Sequence, residues 1–489
     1  MLTGLLIVLP LIAAVIVYLL RGSNARNGAL FFSLVEFGLA LAALFQFKHN
    51  QEDPNHLLSL NCTWIETIGA KFSVGLDGIS LLLVLLTTFL VPLIILSSYR
   101  TEYNKSNSFY ALIMLMQMAL VGVFMAEDGF LFYIFWELAL IPIYFISLLW
   151  GGENRGKITF KFFIYTVFGS LFMLVALIYL YNNTGITGAK SWAMQSLYEA
   201  GRALPADKQT IVFWFIFIAF AIKMPIFPLH TWQPDTYVTA PTQGTMLLSG
   251  IMLKMGTFGL IRWLLPVVPA AVNEWGTMAI GMSIIGIIYA SIIAIMQKDY
   301  KRLIAYSSIA HVGLIAAGIL SFNQQGIQGG VIQMLSHGVN VVGLFLIADI
   351  LLRYTGTRKI EELGGIRNVN PSFSVFFLII LLGSVALPMT NGFVGEFLLI
   401  TGVFSFSKVA AALAGLTVIF GAVYMLRSYQ KIMLGETNAV TAGFSSLATS
   451  DKVVLFIVCA AIIAFGVYPK PLNDLAAPAV AELLNSIGK

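Results

Sequence analysis

The sequence predicts an all-α polytopic membrane protein of about fourteen transmembrane helices, and three observations point to that class. Hydrophobic residues make up 58% of the 489 and charged residues 10%, where a soluble globular chain carries roughly 45–50% and about 25%. Apolar runs of about 20 residues, each long enough to cross a hydrocarbon core of about 30 Å, recur along nearly the whole chain. These runs are continuous rather than segments of about ten residues alternating in polarity, which excludes a β-barrel. A soluble enzyme is excluded with it.

Read between charge clusters and Gly, Pro and Asn punctuation, the spans fall near 2–20, 28–47, 78–99, 108–126, 130–150, 158–181, 211–229, 240–265, 276–296, 302–320, 327–352, 373–401, 407–430 and 452–469. The first is a span and not a cleaved signal peptide, because no basic segment precedes it and Arg21 and Arg26 follow it. Spans 7 and 12 are broken. In AIKMPIFPLHTWQP, Pro225, Pro228 and Pro234 fall within and just past span 7, and in ALPMTNGF, Pro388, Asn391 and Gly392 fall inside span 12. Proline lacks a donor and disrupts the bond to the carbonyl four residues back, here Ala221, Met224 and Ser384. Carbonyls freed at membrane depth persist only where protein or water satisfies them. The two breaks are five spans apart, an odd offset that reverses direction, so they predict an inverted repeat with halves at 108–265 and 276–430.

The balance of 28 Lys and Arg against 23 Asp and Glu gives a net charge of +5, which in such a chain speaks to orientation and not to nucleic acid. With Lys223 and Lys254 set aside as deep in their spans, 17 basic residues belong to the connections after odd-numbered spans and 9 to the other connections and termini. The positive-inside rule then places Arg21, Arg155, Lys298 and Arg358 in the cytoplasm and both termini on the far side. Cys62 and Cys459 are far apart and form no CxxC or Cys/His cluster, so the chain is expected to hold no redox or metal centre of its own.

Six ionisable residues are read as lying near the bilayer centre, where each costs at least about 2.5–3.5 kcal/mol and is by default a candidate functional site. Glu137 is eight residues into span 5, roughly 11 Å from its end. Lys223 precedes the Pro225 break by two residues, and Lys254 lies near the middle of span 8, bracketed by Thr242, Gln243, Thr245, Ser249 and Thr257. His311 and His337 are near the middles of spans 10 and 11, with Ser307 and Ser308 on the face of His311 and Asn340 on that of His337. Glu396 follows the break in span 12. Hydroxyls and amides are also ordinary interhelical packing, but a lone deep lysine packs no better than Leu or Met. These residue types can relay protons. Burial favours the neutral forms of a lysine and a carboxylate while proximity favours the charged forms, so a pair that opens and closes is a proton switch. Imidazole passes protons near neutrality. Metal binding by His311 and His337 is the competing reading, though no Cys or carboxylate accompanies them at ligand spacing.

The runs FWELALIPIYF at 135–145, AFAIKMPIFPLHTWQPDTYVTAPT at 219–242, SGIMLKMGTFGLIR at 249–262, KRLIAYSSIAHVG at 301–313 and LPMTNGFVGEF at 387–397 closely resemble the antiporter-like membrane subunits of bacterial respiratory complex I, the proton-pumping NADH:quinone oxidoreductase. The resemblance covers the whole chain and is closest to the subunit M branch. Several of the runs also occur in the sister subunits L and N and in Mrp-type antiporters, but the resemblance sets subunit M apart by a glutamate in broken span 12, here Glu396. The chain also ends soon after span 14, where subunit L carries a long lateral helix. The resemblance implies that Glu137 and Lys223 form the switchable pair, that Lys254 is the central proton carrier, and that His311 and His337 continue the axis to Glu396 as terminal acid. Around His337 the sequence reads SHGVNVVGLF, without the lysine that sister subunits place a few residues on. It also implies flavin, iron–sulfur clusters and quinone in other subunits, L-like and N-like membrane neighbours with a peripheral arm, and a place in the bacterial cytoplasmic membrane. The rival readings are an Mrp-type or self-standing cation/proton antiporter, which Glu396 disfavours, and a structural scaffold, which the six ionisable residues disfavour.

The charge count commits to a topology. A reporter enzyme active only in the cytoplasm should work when fused after Arg358 and fail when fused at Lys489; the opposite pattern overturns the orientation.

Overall fold

The computed structural model describes residues 2–49, 58–185, 189–444 and 446–488. The chain opens with α1 (Leu2–Leu19) and α2 (Ser23–His49), then a two-stranded antiparallel hairpin, β1 (Leu60–Ile65) and β2 (Ala70–Val74), that no reading of the spans anticipated. Next come α3 (Gly78–Ser97), α4 (Ser106–Met125), and α5 (Gly129–Leu138) continued by α6 (Leu140–Trp150). After α7 (Arg155–Asn183), a short amphipathic α8 (Met194–Ala203) precedes α9 (Ala206–Lys223). Span 7 therefore stops as a helix at Lys223, earlier than its apolar run suggests, and resumes as α10 (Gln233–Thr239). The prolines between are the reason.

Span 8 is one continuous rod of α11 (Thr242–Leu247), a π-helical turn (Leu248–Met252), α12 (Lys254–Gly259) and a second π turn (Leu260–Leu264). Beyond it lie α13 (Pro269–Ile295), α14 (Tyr300–Leu320), α15 (Gln324–Thr355) and a single turn, α16 (Ile366–Val369). Span 12 is split into α17 (Pro371–Ser384) and α18 (Asn391–Phe406), followed by α19 (Lys408–Met433) and α20 (Thr449–Val467). A final amphipathic helix, α21 (Lys470–Ser486), was not anticipated either; it packs through Leu475, Ala479 and Leu483 against α3 and α15. Among the described residues, twelve helices are long and apolar enough to cross a membrane. The two segments that miss that standard are the broken ones. The most deeply enclosed spans are α3, α4, the Thr242–Leu264 rod, α14 and α15, whereas α1, α2, α19 and α20 turn most of their surface outward.

The breaks are built alike. In span 7, Met224 N–H bonds the Phe220 carbonyl (2.8 Å), Ile226 N–H bonds Ala221 (2.8 Å) and Leu229 N–H bonds Ile226 (2.6 Å). In span 12, Val385 bonds Leu381 (3.0 Å), Leu387 bonds Leu382 (3.1 Å) and Thr390 bonds Leu387 (3.0 Å), the same pattern 161 residues later. The Ala221 carbonyl that Pro225 cannot serve thus takes its donor from the next residue. A second likeness lies at the helix starts. Asp128 caps α5 and pairs with Ala193, while Asp299 caps α14 and pairs with Lys359. Around both, reciprocal backbone bonds run from Gly129 to Trp192 and Met194 to Glu127, and from Tyr300 to Arg358 and Ile360 to Lys298, at 2.8–2.9 Å.

Docking of α21 depends on glycine at the start of α3: a Cβ on Gly78 would collide with the Leu475 carbonyl, whereas one on Gly38 of α2 would meet nothing within 4 Å. Gly78→Val should lower the thermal midpoint of the purified protein, at an overpacking cost of about 1–3 kcal/mol, and Gly38→Ala should leave it unchanged.

Candidate functional site

Lys254 is wholly buried at the start of α12. Its ammonium donates to the Ser249 carbonyl (2.6 Å) and to His337 Nδ1 (2.8 Å). The first contact follows from the π turn. The Leu253 amide reaches back five residues to Leu248, so the Ser249 carbonyl is relieved of its α-helical donor and can accept from the side chain. Such single-turn π segments are frequent at functional sites. When Lys254 is the ammonium form, His337 Nδ1 is the acceptor, which leaves Nε2 to carry the ring proton, facing Ser308 Oγ at 3.1 Å. Ser308 in turn lies 3.3 Å from Ser249 Oγ.

His311, one turn along α14 from Ser307 and Ser308, has its Nδ1 2.9 Å from Glu396 Oε1. Gln333 Nε2 donates to the same oxygen at 3.2 Å. Both His311 and Glu396 are buried, and His311 Nε2 and Glu396 Oε2 have no hydrogen-bond partner. The two imidazoles stand 6.1 Å apart between ring centres. Between them is a cavity of about 10 Å³ lined by Ser308, His311, Gln333, His337, Asn340 and Ser384, a size that admits about one water. Residues from four helices thus form a nearly continuous polar line, Lys254–His337–Ser308–His311–Glu396, through otherwise apolar packing.

Glu137 and Lys223 sit apart from that line. Lys223, the last residue of α9, is buried with its ammonium 5.1 Å from the centre of the Trp136 ring. Glu137 lies among Tyr133, Ser170 and Lys223, yet no contact within 4.0 Å joins its carboxylate to that ammonium. The pair is open in this conformation. A cation over an indole face is worth about 2 kcal/mol when desolvated, so Trp136 gives Lys223 somewhere to rest while Glu137 is away. The broken helix approaches Lys254's helix closely: a Cβ on Gly256 would strike Met224, and one on Gly259 would strike the Phe220 ring.

Four of the six ionisable residues expected from the sequence are therefore brought into two hydrogen-bonded pairs on one polar line, Lys254–His337 and His311–Glu396, with the small cavity between them, and the remaining two into an open pair. Trp136 and Gln333 were not anticipated, because nothing in sequence marks a core aromatic or amide as the neighbour of a particular ionisable group. Three further ionisable groups inside the spans were not singled out from the sequence. Asp349, inside span 11, accepts from Thr242 (2.7 Å) and Arg353 (2.7 Å), and Arg353 also grips Asp451 (2.9 Å). Arg262, inside span 8, pairs with Asp77 beside a cavity of about 530 Å³ that Phe258 and Glu482 also line. Glu36 is fully buried on α2. Among the described residues no group of three or more His, Cys, Asp or Glu could hold a metal ion.

Comparison with known proteins gives a consistent picture. The family model described as NADH:quinone oxidoreductase/Mrp antiporter, TM matches residues 126–421, and that for the NADH-ubiquinone oxidoreductase chain 4 amino terminus matches residues 5–123. NADH-quinone oxidoreductase subunit M of Rickettsia conorii is 39% identical over 487 residues, which cover 98% of this chain and 97% of that one. A chain of respiratory complex I from Thermus thermophilus superposes with a TM-score of 0.89 at 30% identity, covering 99% of this chain and all of its own length. A chain of the Mrp complex from Dietzia matches with a TM-score of 0.84 at 21% identity over 52% of its length, a likeness of fold alone.

Proposed function

From the premise that the chain belongs to the subunit M family of NADH:quinone oxidoreductase, we propose that Lys254, His337, His311 and Glu396 carry protons along one line, and that Glu137 and Lys223 are the switch that loads it. The chain is a multi-pass membrane subunit of that proton-translocating respiratory enzyme. Its neighbours in this reading are L-like and N-like membrane subunits and a peripheral arm holding the flavin, iron–sulfur clusters and quinone site. It lies in the bacterial cytoplasmic membrane with both termini periplasmic, as the charge count supports.

The observation that carries the proposal is His337 bonded on both sides, to Lys254 at 2.8 Å and to Ser308 at 3.1 Å. A proton received from Lys254 at Nδ1 lets Nε2 release the one it holds toward Ser308 and the small cavity beyond, so the ring relays without turning. His311 can accept at its free Nε2 and release from Nδ1 to Glu396, which Gln333 steadies. Loading follows from the open pair. When Glu137 swings toward Lys223 both charges are favoured; when it withdraws, the ammonium keeps only the Trp136 ring and is disposed to give up its proton. The recurring break geometry and the recurring pairing at the starts of α5 and α14 support reading 108–265 and 276–430 as inverted-repeat halves. Identity to subunit M over nearly the full chain favours this reading over an Mrp antiporter.

The test uses the assembled complex in membrane vesicles. Lys254→Met keeps volume and removes the desolvation cost of a buried charge, so assembly should be normal while proton pumping falls roughly a hundredfold or more, the scale of losing one positioned proton-transfer group. Lys254→Arg should fail as well, because guanidinium does not release its proton; wild-type pumping with Arg would reduce the position to fixed positive charge. Glu137→Ala and Lys223→Ala should lower pumping and NADH:quinone turnover together, and normal pumping in an assembled Glu137→Ala complex would remove the switch.

A further inference from the structure

We propose that Glu36 is a separate proton-binding site, held as the neutral carboxylic acid in the interior of the first four helices and matched by Gln117 across the groove between α2 and α4. The face of α2 that turns inward is made of Ala25, Ala29, Ser33, Glu36, Ala40 and Ala43, all buried. Small residues there let neighbouring helices approach closely. Glu36 is the one member of that stripe that packing does not call for. It has no exposed surface, and neither carboxylate oxygen has a hydrogen-bond partner. Its carboxylate is enclosed by this chain's own helices.

Among the described residues none supplies a counter-ion. The helices that α2 packs against are α1, α3 and α4, and none of them contains Lys, Arg, His, Asp or Glu between Leu2 and Leu19, Gly78 and Ser97, or Ser106 and Met125. The cations of α2 itself are at its ends: Arg26, ten residues away and engaged with the Tyr99 carbonyl and ring, and Lys48 and His49, twelve and thirteen residues away. At 1.5 Å per residue these are roughly 15–20 Å distant. An ionised, unpaired carboxylate in hydrocarbon is far costlier than the neutral acid, so the group keeps its proton.

Gln117 is the polar group at the right place. It is fully buried on α4, and both its amide oxygen and its nitrogen lack partners. Helices α2 and α4 start at the same end of the bundle, where Asn107 Nδ2 donates to the Tyr18 carbonyl (2.8 Å) just before α2. Counted from those starts, Glu36 and Gln117 lie roughly 20 and 16 Å along their helices. Gln117 is two turns from Tyr110 on the same face of α4, and Tyr110 lies beside Arg26 of α2 and bonds Ser98 at the end of α3 (2.7 Å). That face looks into the α2–α3 groove. An acid and an amide are complementary at two points: the acid O–H donates to the amide oxygen while the amide N–H donates to the acid carbonyl. Closing that pair would satisfy every atom now left without a partner on either side chain.

A hydrophobic carbodiimide tests for a buried acid that carries its proton. The carboxyl oxygen bonds to the central carbon of the reagent, the acid proton passes to a reagent nitrogen, and acyl migration from oxygen to nitrogen leaves a stable N-acylurea with no atom lost. Whole complex in native membranes should yield this adduct on the peptide containing Glu36, and Glu36→Gln should abolish it. The infrared spectrum of the purified complex should likewise lose the carbonyl band of a protonated acid in Glu36→Gln, and Gln117→Leu should shift that band. An adduct on another membrane carboxylate but none on Glu36, together with identical wild-type and Glu36→Gln spectra, overturns the site; the band change without the adduct sustains it, since the reagent then simply fails to enter. Because these readouts report protonation and not pumping, they stand or fall apart from the Lys254 line.

Discussion

A polar atom without a partner is costly in hydrocarbon, and the placement of Lys254 answers to that constraint more than any other feature here. A fully enclosed ammonium must be given acceptors from within the protein. One is the Ser249 carbonyl, released by a π turn that a regular α-helix would not contain, and the other is a histidine from α15. The need to seat one charge thus fixes the irregularity of the span 8 rod, its packing register against α15, and the tautomer of His337. In the proposed relay, the contact that holds the lysine in place is also its proton's way onward.

The same constraint accounts for the broken helices. Proline in span 7 frees a carbonyl at membrane depth, and the chain answers by moving the donor one residue along, from position 225 to Ile226. Ending α9 at Lys223 leaves that side chain at a helix terminus beside Trp136 rather than inside a continuous rod. Glycines on the facing rod, Gly256 and Gly259, admit Met224 and Phe220 at close range. Break, lysine and glycines form one arrangement. In span 12 the corresponding break sets Glu396 within the first turns of α18, where it meets His311.

Outside the line the chain spends ionisable groups on structure. Arg353 bridges Asp349 and Asp451 and so ties α15 to α20, while Arg262 and Asp77 join the far end of the span 8 rod to the start of α3. These groups have partners of opposite charge, and Glu36 does not.

Composition and periodicity by themselves determined the class, the fourteen segments, the two breaks and six of the residues at issue, because the bilayer imposes length and apolarity on each span separately and makes any exception visible. The same rule applied evenly would also have marked Glu36, near the middle of span 2. The sequence could not determine which exceptions meet. That His337 faces Lys254 and not Glu396, that Gln333 steadies Glu396, that Trp136 rather than Glu137 sits over Lys223, and that α21 folds back onto α3 are all contacts between residues far apart in the chain. Such contacts depend on helix rotation and register, which continuous apolar runs leave open: when nearly every position is hydrophobic, periodicity no longer says which face turns inward, and only packing in three dimensions decides.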